Sequence, residues 1–94
     1  MVLGNLVIDL GRHSVLVEGQ PVELTAKEWA LLRVLASRPD RIHTRDSLQD
    51  ALYGMDDDTD SNTLEVFISN LRRKIGRDRI QTFRGLGYKM NASA

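Results

Sequence analysis

Residues 61–76, SNTLEVFISNLRRKIG, carry two sets of side chains that a helix would separate. At about 100° per residue, Leu64, Ile68, Leu71 and Ile75 fall on one face. Asn62, Val66, Ser69 and Arg73 fall on the opposite face, with Asn70 beside them. That second face holds amides, a hydroxyl and a guanidinium around one valine. It is neither a run of solvated charge nor a second core. Small amides and hydroxyls can meet the donors and acceptors of a flat polar edge, where longer charged chains would crowd. Arg72 and Arg73, near the end of the same stretch, are suited to anionic groups.

The net charge of zero, from 13 basic and 13 acidic residues, argues at first against a polyanionic partner. The total hides a split. Residues 1–61 hold six basic and eleven acidic side chains, whereas residues 62–94 hold seven basic ones against Glu65 and Asp78. Opposite charge in the two halves makes a one-faced electrostatic footprint possible.

At 94 residues, with 41% apolar and 28% charged side chains, the chain is expected to form one globular domain. Its apolar runs are too short to span a bilayer. The N-terminus shows no basic flank leading into an apolar segment. With no cysteine there is no disulfide framework, thiol chemistry or cysteine-based zinc site, and a cytoplasmic setting fits.

From Leu6, LVIDLGRHSVLVEGQPVEL alternates apolar and polar residues around Gly11-Arg12 and Gly19-Gln20-Pro21, which predicts short antiparallel strands. LTAKEW opens a first helix: Thr25 caps it, Glu28 returns the bond, and Leu24 staples onto Trp29. Trp29, Leu31, Leu32, Leu35 and Ala36 form its core stripe, which ends before Pro39. A second helix starts at Thr44, with Asp46 in its first turn, Ile42, Leu48, Ala51 and Leu52 on its buried side, and Gly54 closing it. DDDTD, residues 56–60, reads as an exposed loop. The third helix spans 61–75 and is closed by Gly76. IQTFRGLGYKM, residues 80–90, forms a hairpin turning at Arg84-Gly85-Leu86-Gly87.

Strands, three helices and a hairpin make the skeleton of a winged helix-turn-helix, an α+β arrangement whose third helix fits a DNA major groove. LTAKEWALLRVLA, HTRDSLQDALYG, SNTLEVFISNLRRKIG and TFRGLGYKM follow in the order and spacing of the OmpR/PhoB-type response-regulator effector domain, which the chain resembles over nearly its whole length. The N-T-L-E-V and N-L-R-x-K pieces resemble most the PmrA/QseB branch. The resemblance implies a four-stranded antiparallel N-terminal sheet, three helices and a C-terminal β-hairpin wing, with residues 1–94 forming the effector domain. It implies a phosphoacceptor receiver domain elsewhere in the intact protein. It also implies sequence-specific binding of double-stranded DNA, by two copies head-to-tail on direct-repeat half-sites, from an isolated domain that is monomeric.

Carried onto this sequence, the family's base-reading positions are Val66 and Asn70, and its minor-groove position is Arg84. Val66 suits a thymine methyl; Asn70 can pair with adenine N6/N7 or reach another base edge. Arg72 and Arg73 fit phosphate contacts, which set register without reading sequence. Asn62, Thr63, Ser69 and Lys89 are further phosphate candidates. Glu65 can accept from a cytosine amine, but capping the helix together with Asn62 is the favoured reading. Gly85 and Gly87 are backbone requirements of the hairpin, and Tyr88 is a core or hinge aromatic. Asp56, Asp57 and Asp58 lie where the family contacts RNA polymerase.

Two residues depart from the family pattern. Phe67 stands where histidine is frequent, and by angle it flanks the core, so a phosphate contact is replaced by packing. Phe83, before the wing arginine, is bulkier than the usual valine and is expected to shift the wing or to pack on the third helix. Enzymatic chemistry finds no support. His13 and His43 are far apart and in no ligand spacing, and both read as surface or capping residues. No G-x-S-x-G elbow or Gly-Lys-Ser loop occurs. No cofactor, metal or membrane is implied. The competing reading is a winged-helix protein-interaction module, kept open by the zero net charge and by Val66 and Phe67.

Overall fold

The computed structural model describes residues 2–53 and 64–91. Four short strands, β1 (Val2–Leu3), β2 (Leu6–Asp9), β3 (Ser14–Val17) and β4 (Gln20–Val22), form an antiparallel sheet in that order. Val7 stands opposite Leu16 and Ile8 opposite Val15. Alternation along the strands sends Leu3, Leu6, Ile8 and Val15 into the core. At the β2–β3 turn, Asp9 Oδ1 accepts the backbone N–H groups of Gly11 and Arg12 at 3.1 and 3.2 Å.

Helix α1 (Ala26–Ser37) begins as its sequence dictates. Thr25 Oγ1 accepts from Glu28 N at 3.2 Å, and Glu28 Oε1 accepts from Thr25 N at 3.0 Å. This reciprocal capping box satisfies two donors that the first turn leaves unpaired. Leu31, Leu32, Leu35 and Ala36 are fully buried, while Leu24 and Trp29 pack on the core from its edge. Trp29 also stacks on His13, with ring centroids 5.0 Å apart.

The chain then forms an element that periodicity did not predict. Strand β5 (Ile42–Thr44) pairs with β7 (Gly87–Met90), which forms the expected hairpin with β6 (Ile80–Phe83), so the hairpin is extended to a three-stranded sheet. Ile42 is therefore not on the buried side of the second helix: it faces out of β5, 38% exposed, opposite Lys89. Helix α2 (Arg45–Tyr53) follows at once, with Thr44 Oγ1 accepting from Ser47 N at 3.1 Å. Leu48 is fully buried; Ala51 is half-buried, and Leu52 packs against the core. Gly54 lies outside the described residues.

Helix α3 (Leu64–Ile75) buries Leu64, Ile68, Leu71 and Ile75, the four residues that its periodicity predicts. It packs on α1 and α2. A 3₁₀ turn (Arg77–Arg79) then leads into β6. Arg79 is buried at 4% exposure; its guanidinium donates to Asn5 Oδ1 and, at 3.4 Å, to the Asn91 carbonyl. This cation ties the N-terminal sheet to the end of β7 through neutral oxygens, so its guanidinium is not available for contact with an outside partner.

Candidate functional site

Burial of the α3 core stripe fixes what the opposite face presents. Val66 is 43% exposed, Ser69 and Arg73 are exposed, and Asn70 is half-buried between them. Arg73 Nη2 donates to Asn70 Oδ1 across one helical turn, joining two residues that the sequence assigned to separate tasks. Asn62 and Thr63 lie outside the described residues, as do Asp56, Asp57 and Asp58.

Arg72, one residue before, is engaged differently. Its Nε donates to the Ile80 carbonyl at 3.1 Å and its Nη2 to Thr82 Oγ1. These bonds brace the third helix against β6, so Arg72 sits at the seam between helix and wing rather than on the exposed face of Val66 and Asn70. Lys74, two positions after Arg72, reaches α1 and lies 2.7 Å from the buried Glu28 carboxylate.

Phe67 packs against the core from its edge, as its angle predicts, and the Lys27 ammonium lies 5.6 Å from its ring centroid. Glu65 pairs with Arg45 in the first turn of α2. This ion pair joins the N-terminal ends of the second and third helices, and its hydrogen bond raises the Arg45 pKa further above its ordinary value. The capping partner expected for Glu65, Asn62, is outside the described residues.

The wing is a tight turn. Leu86 N donates to the Phe83 carbonyl at 2.9 Å, and Gly85 adopts a φ of +78° that side chains resist. Gly87 answers a different need: a Cβ there would stand 1.9 Å from the His43 carbonyl oxygen of β5. Arg84 projects from this turn, exposed, with Leu86 beside it at 58% exposure. Tyr88 is buried. Phe83 does not join the core cluster; it is half-buried, with the Lys89 ammonium 5.6 Å from its ring centroid across the hairpin. Lys89 is thus half-buried along an aromatic face, with its charge at the sheet surface.

An open groove runs between the Arg45–Glu65 pair and Thr82, Phe83 and Arg84 of the wing. Sequence reasoning missed Arg45 at this groove. The signal was present, since a cap at Thr44 puts Arg45 in the first turn of α2. Among the described residues, no three histidine or acidic side chains group as a metal site. His13 lies against Trp29, and His43 Nε2 is 3.4 Å from the Arg38 carbonyl. No helix among the described residues is long and apolar enough to cross a membrane.

Residues 19–90 match the family model described as transcriptional regulatory protein, C terminal. The response regulator protein PmrA of Pseudomonas aeruginosa is 42% identical over 94 residues, which is 100% of this chain and 42% of that protein. The chain thus spans well under half the length of the curated relatives it matches. Among solved structures, the DNA-binding domain of CpxR from E. coli superposes with a TM-score of 0.82 at 32% identity, covering 100% of this chain and 97% of that one. The Klebsiella pneumoniae RstA DNA-binding domain, solved in complex with the RstA box, gives a TM-score of 0.83 at 31% identity, over 98% and 96% of the two chains.

Proposed function

Because this chain belongs to the family of transcriptional regulatory protein C-terminal domains, we propose that it acts as the DNA-binding effector domain of a two-component response regulator, with α3 in the major groove and Arg84 in the adjacent minor groove. The members it resembles are regulators and not enzymes, and it carries no catalytic task. The observation that supports this placement most is the exposed face of α3. Val66, Ser69, Asn70 and Arg73 lie together opposite a fully buried stripe, on a helix that the groove is wide enough to admit.

In this reading Val66 packs on a thymine methyl and Asn70 meets a base edge. Ser69, Arg73 and Lys89 hold phosphates, as do Asn62 and Thr63, and Arg72 adds a phosphate contact with whatever donors its bonds to β6 leave free. Two copies bind head-to-tail on direct-repeat half-sites, and the isolated domain is a monomer. Residues 1–94 form the effector domain, a receiver domain belongs to the intact protein, and the setting is the cytoplasm. Asp56, Asp57 and Asp58 meet RNA polymerase.

In vitro selection of bound duplexes, followed by a salt titration of the selected sequence, tests this reading. The expected result is an enriched motif with repeated half-sites, bound less tightly as salt rises because phosphate contacts release counterions. Salt-independent binding, or no enrichment at low salt, would favour the protein-interaction module instead.

A further inference from the structure

We infer that Arg73 decides which base Asn70 reads, by turning the asparagine into a donor-only group that takes guanine. This rests on α3 being the base-reading helix. Arg73 Nη2 donates to Asn70 Oδ1, one helical turn apart on the exposed face. A guanidinium carries five N–H donors and no acceptor. The atom of the amide turned toward Arg73 must therefore be the oxygen, so the amide orientation follows from the chemistry of the pair.

An unrestrained asparagine brackets adenine with its amide nitrogen on N7 and its amide oxygen on the N6 amine. Here the oxygen is engaged by a cation. What the pair turns outward is the Asn70 Nδ2 group, which has no acceptor among the described residues, and the remaining N–H groups of Arg73. Guanine presents two acceptors in the major groove, N7 and O6. Adenine presents N7 and then a donor, N6, which would face the N–H groups of Arg73. The donor-only pair complements guanine and opposes adenine. Val66 stands one turn earlier on the same face, 43% exposed, leaving room for an apolar contact beside the guanine. Arg73 is in this sense a positioning residue as well as a charge. Its role is distinct from that of Arg72, whose bonds lead to the wing.

The test is selection from randomised duplexes with the 94-residue chain and three variants, with thermal unfolding as a fold control. Asn70→Ala marks the base position, as the one where enrichment disappears. The wild-type chain is expected to enrich guanine there. Arg73→Met keeps the aliphatic stem but removes every donor, freeing the amide oxygen. It is expected to reverse the preference at that position to adenine, by at least tenfold in the guanine-to-adenine ratio. Arg73→Lys, which still donates, is expected to keep guanine. Adenine enriched by the wild-type chain would overturn the inference. So would an Arg73→Met variant that weakens all sequences equally with its preference unchanged, the behaviour of a phosphate contact alone. If the wild-type chain enriches no duplex and its binding ignores salt, the base-reading premise itself fails, an outcome distinguishable from the other two.

Discussion

Lys74 Nζ lies 2.7 Å from Glu28 Oε1, and the same oxygen accepts the Thr25 backbone N–H at 3.0 Å. One carboxylate, 3% exposed, thus caps the first helix and holds the last turn of the third. Glu28 is placed by the capping box that LTAKEW encodes; Lys74 is placed by the α3 core stripe, which sets its angle. A buried carboxylate is costly unless bonded and paired, and here both conditions are met. The lysine side chain is 36% exposed, so the pair lies at the edge of the core rather than inside it. The relationship, with the core stripe, ties α3 to the body of the domain and so to the direction its exposed face points.

Removing that carboxylate should therefore act at both ends. Glu28→Ala is expected to lose about 2 kcal/mol of stability, from the cap and the tertiary bond together. Glu28→Gln, which keeps an acceptor, should lose about half of that. Denaturant unfolding of both variants, with and without Lys74→Met, measures the coupling. Additive losses would mean that the ion pair contributes nothing.

Gly87→Ala tests the unpredicted strand. A Cβ at Gly87 would stand 1.9 Å from the His43 carbonyl oxygen and 2.9 Å from Thr44 Cα, both backbone atoms that cannot swing aside. The substitution is expected to cost about 2–4 kcal/mol and to break β5 from β7. Amide exchange at His43 and Tyr88 should accelerate more than exchange in α1. A loss below about 0.5 kcal/mol would mean that β5 is not held there.

These two cases show what the sequence made legible. The capping box, the α3 core stripe and the Gly85 turn are local patterns, complete within a few residues, and each is found where it was read. Strand β5 was not legible because Ile-His-Thr is too short to alternate, and its partner strand arrives more than forty residues later. The tie between Lys74 and Glu28 spans 46 positions and depends on how the helices pack. Counting charge overstated the cations available for contact for the same reason: Arg79 is buried within the domain and Lys74 is bound to Glu28. Helical angle, a one-dimensional property, separated the buried stripe of α3 from its exposed face; which cations remain free beside that face required the fold.

Arg72 illustrates the difference in a testable way. Its bonds to the Ile80 carbonyl and to Thr82 predict that Arg72→Ala lowers stability by about 1–2 kcal/mol. In a domain of this size that is roughly a 5–10 °C fall in the unfolding temperature. Affinity should drop by similar factors for selected and random duplexes with the same flanks, because a lost phosphate contact ignores sequence. Weaker binding with an unchanged unfolding temperature would return Arg72 to a pure phosphate role.

Arg84 should behave in the opposite manner. It is exposed on the wing turn, so Arg84→Ala is expected to change stability by less than about 0.5 kcal/mol. Its proposed place is a narrow minor groove, where A·T-rich sequence deepens the negative potential. The variant should lose about tenfold in affinity for a duplex with an A·T-rich flank and much less when the flank is G·C-rich. Each cation–phosphate contact contributes a slope of about −0.9 in log K against log salt. With Arg72, Arg73, Arg84 and Lys89 as the proposed cation contacts, a slope of roughly −3.5 per domain follows, falling by about one unit in the variant. Equal losses on both flanks would remove Arg84 from the minor groove and leave it as one more backbone contact.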